Sequence, residues 1–304
     1  MRYRTAGAFR TALEQRLLTR SRTTGQGLAR LRKLVAFERL LARLLITAPD
    51  RWILKGGLAL DFRLGDRARA TIDMDLGRQD GEASADADLR AAQAADLGDY
   101  FTFEITRKAQ LDDADVAGAV RYRVNVSLAA RRFEGLVVDV GFTDPPVGKP
   151  DDIPGPDLLA FADVPPLRVP ALPLLDHVAE KVHAYTRRYG PLERFSTRVK
   201  DLVDLVLLQS TSSFLASELR SALLRTFETR ATHSLPPALP EPPPEWEAPY
   251  RRLAANLSIP AGQREGYRSA AAFLAPILDG TLDNEVLWDP GLGAWTVYGR
   301  RITP

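Results

Sequence analysis

The sequence predicts an α/β protein: a mixed sheet flanked by helices in the first part of the chain, and a helical bundle in the second. Two observations carry this. Runs with the two-residue period of strands, such as "RYRVNVSLA", lie in the first part, whereas apolar residues recur at three- and four-residue intervals from "PLLDHVAEKVHAYT" onward. The change of period follows the Pro-studded stretch "DPPVGKPDDIPGPD", which suits a connection better than a regular element. The expected domains are 1–172, the sheet with its N-terminal helices, and 173–304, the bundle. A chain of 304 residues, 45% hydrophobic and 26% charged, is long enough to bury two such cores.

Residues from Ala8 to Thr47 read as two helices separated near "TTGQG", the second marked by Leu28, Leu31, Leu34, Val35, Leu40, Leu41, Leu44 and Leu45. "WILK" is a short strand, "GGLALDFRLG" a turn and helix, and "TIDMDLG" a second strand whose Ile72, Met74 and Leu76 are expected in the core. "DGEASADADLRAAQAADLG" is a solvent-facing helix with an acidic start. Three strands follow in "YFTFEIT", "RYRVNVSLA" and "GLVVDVGFT", and a last one near "LRVPAL". Helices then account for "PLLDHVAEKVHAYTRRYG", "STRVKDLVDLVLLQS" and "SFLASELRSALLRTFETRA". The Pro-rich "SLPPALPEPPPEWEAP" interrupts the bundle, which resumes in "YRRLAANL" and "EGYRSAAAFLAPILDG".

Composition excludes several chemistries. There is no cysteine, so disulfides, thiolate metal sites and cysteine nucleophiles are out. The three histidines, His177, His183 and His233, lack metal-ligand spacing, so any metal must be held by oxygen. No run approaches the ~20 apolar residues of a membrane helix, and "MRYRTAGAFRTALEQRLL" lacks the apolar core of a secretory signal, so a cytoplasmic protein is expected; a monomer is expected as well. The net charge is only +2, yet up to Ala48 eleven Lys or Arg stand against two Glu. That asymmetry reads either as a solvated helix surface or as a basic face, carrying Arg16, Arg20, Arg30, Lys33 and Arg39, for a polyanion.

Chemistry concentrates in "WILKGGLALDFRLGDRARATIDMDLG". On a strand, Thr71, Asp73, Asp75 and Gly77 share one face. Two neighbouring carboxylates repel, and a divalent cation between them removes the cost, although Asp-x-Asp also occurs at ordinary strand ends. Gly56 and Gly57 follow a short apolar strand and precede a helix, where unobstructed amides and the positive helix end can meet phosphate; a tight turn is the plainer use of such a pair. Their conjunction sets a phosphate cradle beside a metal platform. Asp139, between valines in "LVVDVGF", is a third carboxylate, read either as an edge-strand residue or as a ligand.

These residues resemble the nucleotidyltransferase signature of the DNA polymerase β-like superfamily, and specifically the AbiEii/AbiGii toxin family with its MenT-type members. Lys55 to Leu60 match that family's Lys-Gly-Gly-x-Ala-Leu, and Arg69 to Asp75 its Arg-x-Ser/Thr-x-Asp-x-Asp. "AEKVHAYTRR" supplies a Glu-Lys motif in Glu180 and Lys181. "TRVKDLVDLVLL" supplies Arg198, Lys200, Asp201 and Asp204, and "YRSAAAFLAPIL" is similar to the closing helix. The fifteen residues between Gly57 and Asp73 exceed the spacing in many members of the superfamily.

The resemblance implies a polymerase β-like sheet domain joined to the bundle, with the active site in a cleft between them. It implies transfer of a nucleoside monophosphate from an NTP to an acceptor hydroxyl, with Mg²⁺ or Mn²⁺ on Asp73, Asp75 and Asp139. Lys55, Gly56, Gly57, Arg69 and Thr71 would meet the triphosphate. Lys181 would reach it as a point charge, and Asp201 would orient Lys181 or Arg198 or accept a hydrogen bond from the nucleotide or the acceptor, with Asp204 the lesser of the two acids; the plain alternative for Lys181 and Asp201 is an ion pair between helices. His177, Lys181 and Arg188 at helical spacing would form one basic face. A toxin acting on the tRNA 3′ end and restrained by a cognate antitoxin is the implied setting. The alternatives are nucleotidylation of a protein or an aminoglycoside-type small molecule, and a GTP- or nucleic-acid-binding module without catalysis.

Overall fold

The structure, a computed structural model, describes every residue except 112–117, 143–147, 190–193, 196–197, 284, 298–299 and 302–304, and only the backbone of 108–111, 189, 194–195 and 300–301. The chain forms two compact units, one of Met1–Asp66 with Ala70–Leu172, the other of Arg67–Arg69 with Pro173–Pro304.

The first unit opens with helices α1 (Ala6–Thr24) and α2 (Leu28–Thr47). Gly25 at φ +75° ends α1 in the left-handed conformation that a glycine adopts without strain. Then come β1 (Ile53–Lys55), α3 (Gly56–Leu64), β2 (Asp73–Gly77), α4 (Glu82–Ala94), β3 (Phe101–Leu111), β4 (Ala119–Leu128), β5 (Arg131–Gly141), β6 (Asp151–Pro154) and β7 (Arg168–Ala171). The strands make one mixed sheet in the order β3-β4-β5-β2-β1-β7-β6. The β2/β5 and β1/β7 pairs are parallel, and the others antiparallel.

Alternation decides which face is buried. In β4, Tyr122, Val124, Val126 and Leu128 are buried, whereas Arg123 and Asn125 are exposed. Met74 and Leu76 of β2 and Val138 and Val140 of β5 join them in a core with Phe9, Leu13 and Leu17 of α1 and the apolar stripe of α2. Ile72 does not join them. The strand starts at Asp73, Ile72 lies in the preceding bend, and it is 74% exposed. Strand β6 was not apparent in the Pro-rich stretch; it lies on the sheet edge, where Pro154 needs no ladder donor.

The basic face expected on the N-terminal helices is largely spent inside this unit. Arg39 and Arg43 both bond Asp99, at 2.7 Å from Arg39 and at 2.7 and 3.0 Å from Arg43. Burial alone would raise the Asp99 carboxyl, but the hydrogen bonds from Arg43 and the charges of both arginines outweigh it and hold it below its ordinary value. Arg30 pairs with Asp61 at 3.0 Å, and Lys33 donates to the Gly135 carbonyl at 2.9 Å. A count of charges along the chain cannot see the acids and carbonyls that the sheet brings back to these helices. Arg16 and Arg20 stay exposed, as do Arg2, Arg4 and Arg22.

The second unit contains α5 (Leu174–Thr186), the short strands β8 (Arg188–Tyr189) and β9 (Arg194–Phe195), α6 (Val199–Thr211), β10 (Phe214–Leu215), α7 (Ala216–Arg230), α8 (Glu247–Ala254), α9 (Gln263–Leu278), β11 (Val286–Asp289), β12 (Ala294–Val297) and β13 (Arg300–Arg301). Helix α5 ends at Thr186, because Arg187 turns extended, so Arg188 is not on its face with His177 and Lys181. The sheet β10-β11-β12-β13 was not anticipated from sequence. Two tryptophans lock it to the helices: Trp288 donates to the Gln209 carbonyl at 2.6 Å and Trp295 to that of Phe273 at 2.9 Å. No helix among the described residues is long and apolar enough to cross a membrane.

Candidate active site

Strand register assembles the first cluster. Lys55 is the partner of Asp75 across β1/β2, Asp75 of Asp139 across β2/β5, and Asp139 of Arg121 across β5/β4. Partners in a ladder project to the same face, so Lys55, Asp75, Asp139 and Arg121 form a row across four central strands, about 4.8 Å from strand to strand. Asp73, two residues before Asp75, shares that face, opposite to the buried Met74 and Leu76. Asp139 is therefore not an edge residue: β5 lies between β4 and β2, and Asp139 is 9% exposed.

The glycine turn lies against this row. Gly56 begins α3 at φ +62°, and a Cβ there would fall 1.7 Å from Asp75 Oδ2. Only glycine allows the backbone that conformation and the carboxylate that closeness. The Asp75 carboxylate thus rests beside the positive end of a helix, where amides favour negative charge. Gly57, next in the helix, is buried. Lys55 caps α3, and its stem lies over Gly77, where an added Cβ would meet Lys55 Cδ at 2.9 Å. Thr71 turns inward, its hydroxyl donating to Asp73 Oδ1 at 3.0 Å; this orients the carboxylate.

Asp139 is otherwise engaged. Arg121 grips it with a two-point fork, Nε to Oδ1 and Nη2 to Oδ2, each at 2.7 Å. The hydrogen bond to Asp139 raises the Arg121 pKa, and the charges of Asp139, Asp73 and Asp75 add to the effect against a partial loss of hydration. Asp73 and Asp75, half-exposed on one face beside the glycine turn, suit a hard, oxygen-seeking cation. Asp139 stands next in the row, yet among the described residues no three acidic or histidine side chains converge as a ligand set. Arg121 was not singled out from the sequence. Its alternation in "RYRVNVSLA" was legible, but its position opposite Asp139 follows from strand pairing.

A second cluster is built within the second unit. Lys181 on α5 bonds Asp201 Oδ1 at 2.7 Å and Asp204 Oδ2 at 2.8 Å, both on α6. Arg69 forks onto Asp204 at 2.6 and 2.8 Å, and Arg198 bonds Asp201 at 2.7 Å. The result is a ladder, Arg69–Asp204–Lys181–Asp201–Arg198, whose three central members are buried. Burial opposes every one of those charges. The two carboxylates outweigh it and raise the Lys181 pKa, while Lys181 together with Arg69 or Arg198 lowers those of Asp204 and Asp201.

The geometry gives the residues named for this unit partners within it. Arg69 is held by Asp204, and the Lys181 ammonium lies between two carboxylates. Asp204, expected to be the lesser acid, is as central as Asp201. Glu180, beside Lys181 in the sequence, turns to Arg230 at 2.9 Å.

The family described as nucleotidyl transferase AbiEii toxin, of type IV toxin–antitoxin systems, matches residues 39–283. Among solved structures, the chain is similar to MenT4, a nucleotidyltransferase toxin from Mycobacterium tuberculosis, with a TM-score of 0.58 and 18% identity over 88% of this chain and 90% of that one. It is also similar to JHP933 from Helicobacter pylori, with a TM-score of 0.48 and 16% identity over 82% of this chain and 93% of that one. No curated protein sequence matches the chain.

Proposed function

The chain belongs to the AbiEii nucleotidyltransferase toxin family, and from that membership we propose that it transfers a nucleoside monophosphate from an NTP to the 3′ hydroxyl of tRNA and so blocks translation. Membership in a nucleotidyltransferase family makes it a transferase, and membership in a type IV toxin–antitoxin family gives it a cognate antitoxin. The observation that carries the reaction is the pair Asp73 and Asp75 on one sheet face, with Asp75 set against the positive-φ Gly56 at the start of α3.

In the reaction an acceptor oxygen bonds the α-phosphorus, the bond to the β-phosphate breaks, and pyrophosphate leaves with release of the hydroxyl proton. Asp73 and Asp75 would hold Mg²⁺ or Mn²⁺, which when bound neutralises phosphate charge and lowers the pKa of the attacking hydroxyl. Thr71 fixes the rotamer of Asp73. The amides at Gly56 and Gly57 and the ammonium of Lys55 meet the triphosphate. Lys181 and Asp201 take a positioning role in this reading, since their charges are spent on each other and on their neighbours.

We assign the protein to the cytoplasm, where NTPs and tRNA occur together, as a monomer whose two compact units are its domains. The tRNA reading rests on the family resemblance and on the exposed arginines of the N-terminal segment; with Arg30, Lys33 and Arg39 internally engaged, the exposed cations of α1 are Arg16 over the Phe161 ring, Arg20 at 3.8 Å from Asp66, and Arg22. The test is transfer of label from each NTP to total tRNA, with and without Mg²⁺ or Mn²⁺. Label at tRNA 3′ ends that depends on metal and on Asp73 supports the proposal. Inert tRNA beside a labelled protein or small molecule replaces the acceptor, and no transfer to any of them makes the chain a binding module.

A further inference from the structure

We propose that Arg121 is a gate on the third carboxylate of the site: it holds Asp139 while no metal is bound, and Asp139 becomes a metal ligand only when the guanidinium lets go. The proposal rests on the reading that Asp73 and Asp75 bind the divalent cation, and it adds a positioning residue that lies outside the motifs read from the sequence.

Three carboxylates on one face of adjacent strands would repel at the strand spacing of about 4.8 Å. The sheet answers with a cation at each end of the row, Lys55 opposite Asp75 and Arg121 opposite Asp139. At the Lys55 end stand Asp73 and Asp75. At the other end both Asp139 oxygens are taken at 2.7 Å. A fork of that geometry leaves the carboxylate poorly placed to face a cation as well. Arg121 is nonetheless 37% exposed, so its guanidinium can move off Asp139 into solvent without being trapped in the core. Asp139 is 9% exposed, and release of the fork frees its side chain to turn toward Asp75, its partner across β2/β5.

The gate predicts how Mn²⁺ binds to the full chain without nucleotide, read by electron paramagnetic resonance and calorimetry. Arg121→Gln should tighten Mn²⁺ binding by roughly tenfold or more. Asp139→Asn should leave wild-type affinity within about twofold, but cancel the gain when combined with Arg121→Gln. Arg121→Lys, which keeps the charge but loses the fork, should fall between the two. Arg123→Gln, two residues along the same exposed face, controls for bulk charge and should do little. Thermal melts of each variant confirm folding.

Equal tightening by Arg121→Gln and Arg123→Gln, or an Asp139→Asn effect that is the same in both backgrounds, would overturn the gate. If Asp73→Asn and Asp75→Asn also leave Mn²⁺ binding untouched, the metal reading falls with it. If they abolish binding while Arg121→Gln changes nothing, the gate alone falls.

Discussion

Two clusters of Lys, Arg and Asp stand out among the described residues, one in each unit, and they differ in burial. On the sheet face, Lys55, Arg121 and Arg123 accompany Asp73, Asp75 and Asp139, and Asp73 and Asp75 are half-exposed. In the helical unit, Arg69, Lys181 and Arg198 accompany Asp201 and Asp204, three cations to two anions, with Lys181 and both acids buried. We read the open cluster, with two carboxylates on one face, as suited to a cation, and the buried one, whose anions are each gripped by two cations, as a brace. In this reading the same residue types serve binding in one place and positioning in the other, and the surrounding geometry, more than the motif, decides which.

The comparison breaks most visibly at the sheet. Asp73→Asn or Asp75→Asn should reduce transfer by about 10³-fold, since the groups that hold phosphate-neutralising charge are lost. The same variants should keep or slightly raise the melting temperature, because like-charge repulsion is relieved. Near wild-type transfer of labelled NTP by either variant would remove this cluster from the chemistry. Gly56→Ala tests the cradle without touching a charge. Its Cβ needs the room of Asp75 Oδ2 and a left-handed backbone, so transfer should fall by at least about 10²-fold while stability drops by about 1–2 kcal/mol. An active, fully stable Gly56→Ala protein would show that Asp75 is free to be displaced.

In the brace the order of effects reverses. Lys181→Ala leaves two buried carboxylates without their shared cation and should cost about 3–5 kcal/mol. The melting temperature should drop by roughly 10 °C before any question of catalysis arises. Lys181→Arg should recover part of the loss, since it restores charge but places a planar fork where a compact ammonium fits. A Lys181→Ala protein that melts like wild type but fails to use NTP would turn the brace back into a phosphate clamp. Acid should act here too. The Asp201 and Asp204 carboxyls are held below their unfolded value, so their contribution is complete above about pH 4 and is lost as pH falls through the folded values.

The strand–glycine–helix–strand order and the shared face of Asp73 and Asp75 could be read from the sequence because they depend on local period and on residues a few positions apart. Arg121 could not be paired with Asp139 without the β4/β5 register, nor could Arg69 be assigned to Asp204, 135 residues away. Arg39 looked like a surface cation for the same reason, as its partner Asp99 lies 60 residues on. Ile72 broke the strand alternation by falling one residue before the ladder begins. The β11–β12 hairpin was hidden by "DPGLG", which reads as loop when the apolar residues on each side are few. Short-range pattern was legible, and long-range ionic pairing was not.

A third buried acid supplies the case between the two clusters. Glu38 of α2 is fully buried, yet it meets no fork: Oε1 accepts a long 3.4 Å bond from the Leu167 amide, and Oε2 has no hydrogen-bond partner among the described residues. Burial raises its pKa to about 7, against the opposing pull of Arg39 and the Leu167 amide. The sign is opposite to that of Asp201 and Asp204. The unfolded carboxyl ionises above about 4.5 while the folded one keeps its proton to about 7, so stability falls as pH rises between those values and is level beyond them. The full loss corresponds to about 3 kcal/mol. Glu38→Gln, which fills the same space without a titrating proton, should match wild type near pH 4 and be more stable by up to that amount at pH 8. Denaturant unfolding at the two pH values measures it; an equal difference at both would mean that Glu38 stays ionised in the fold, and that a lone buried carboxylate here needs no partner.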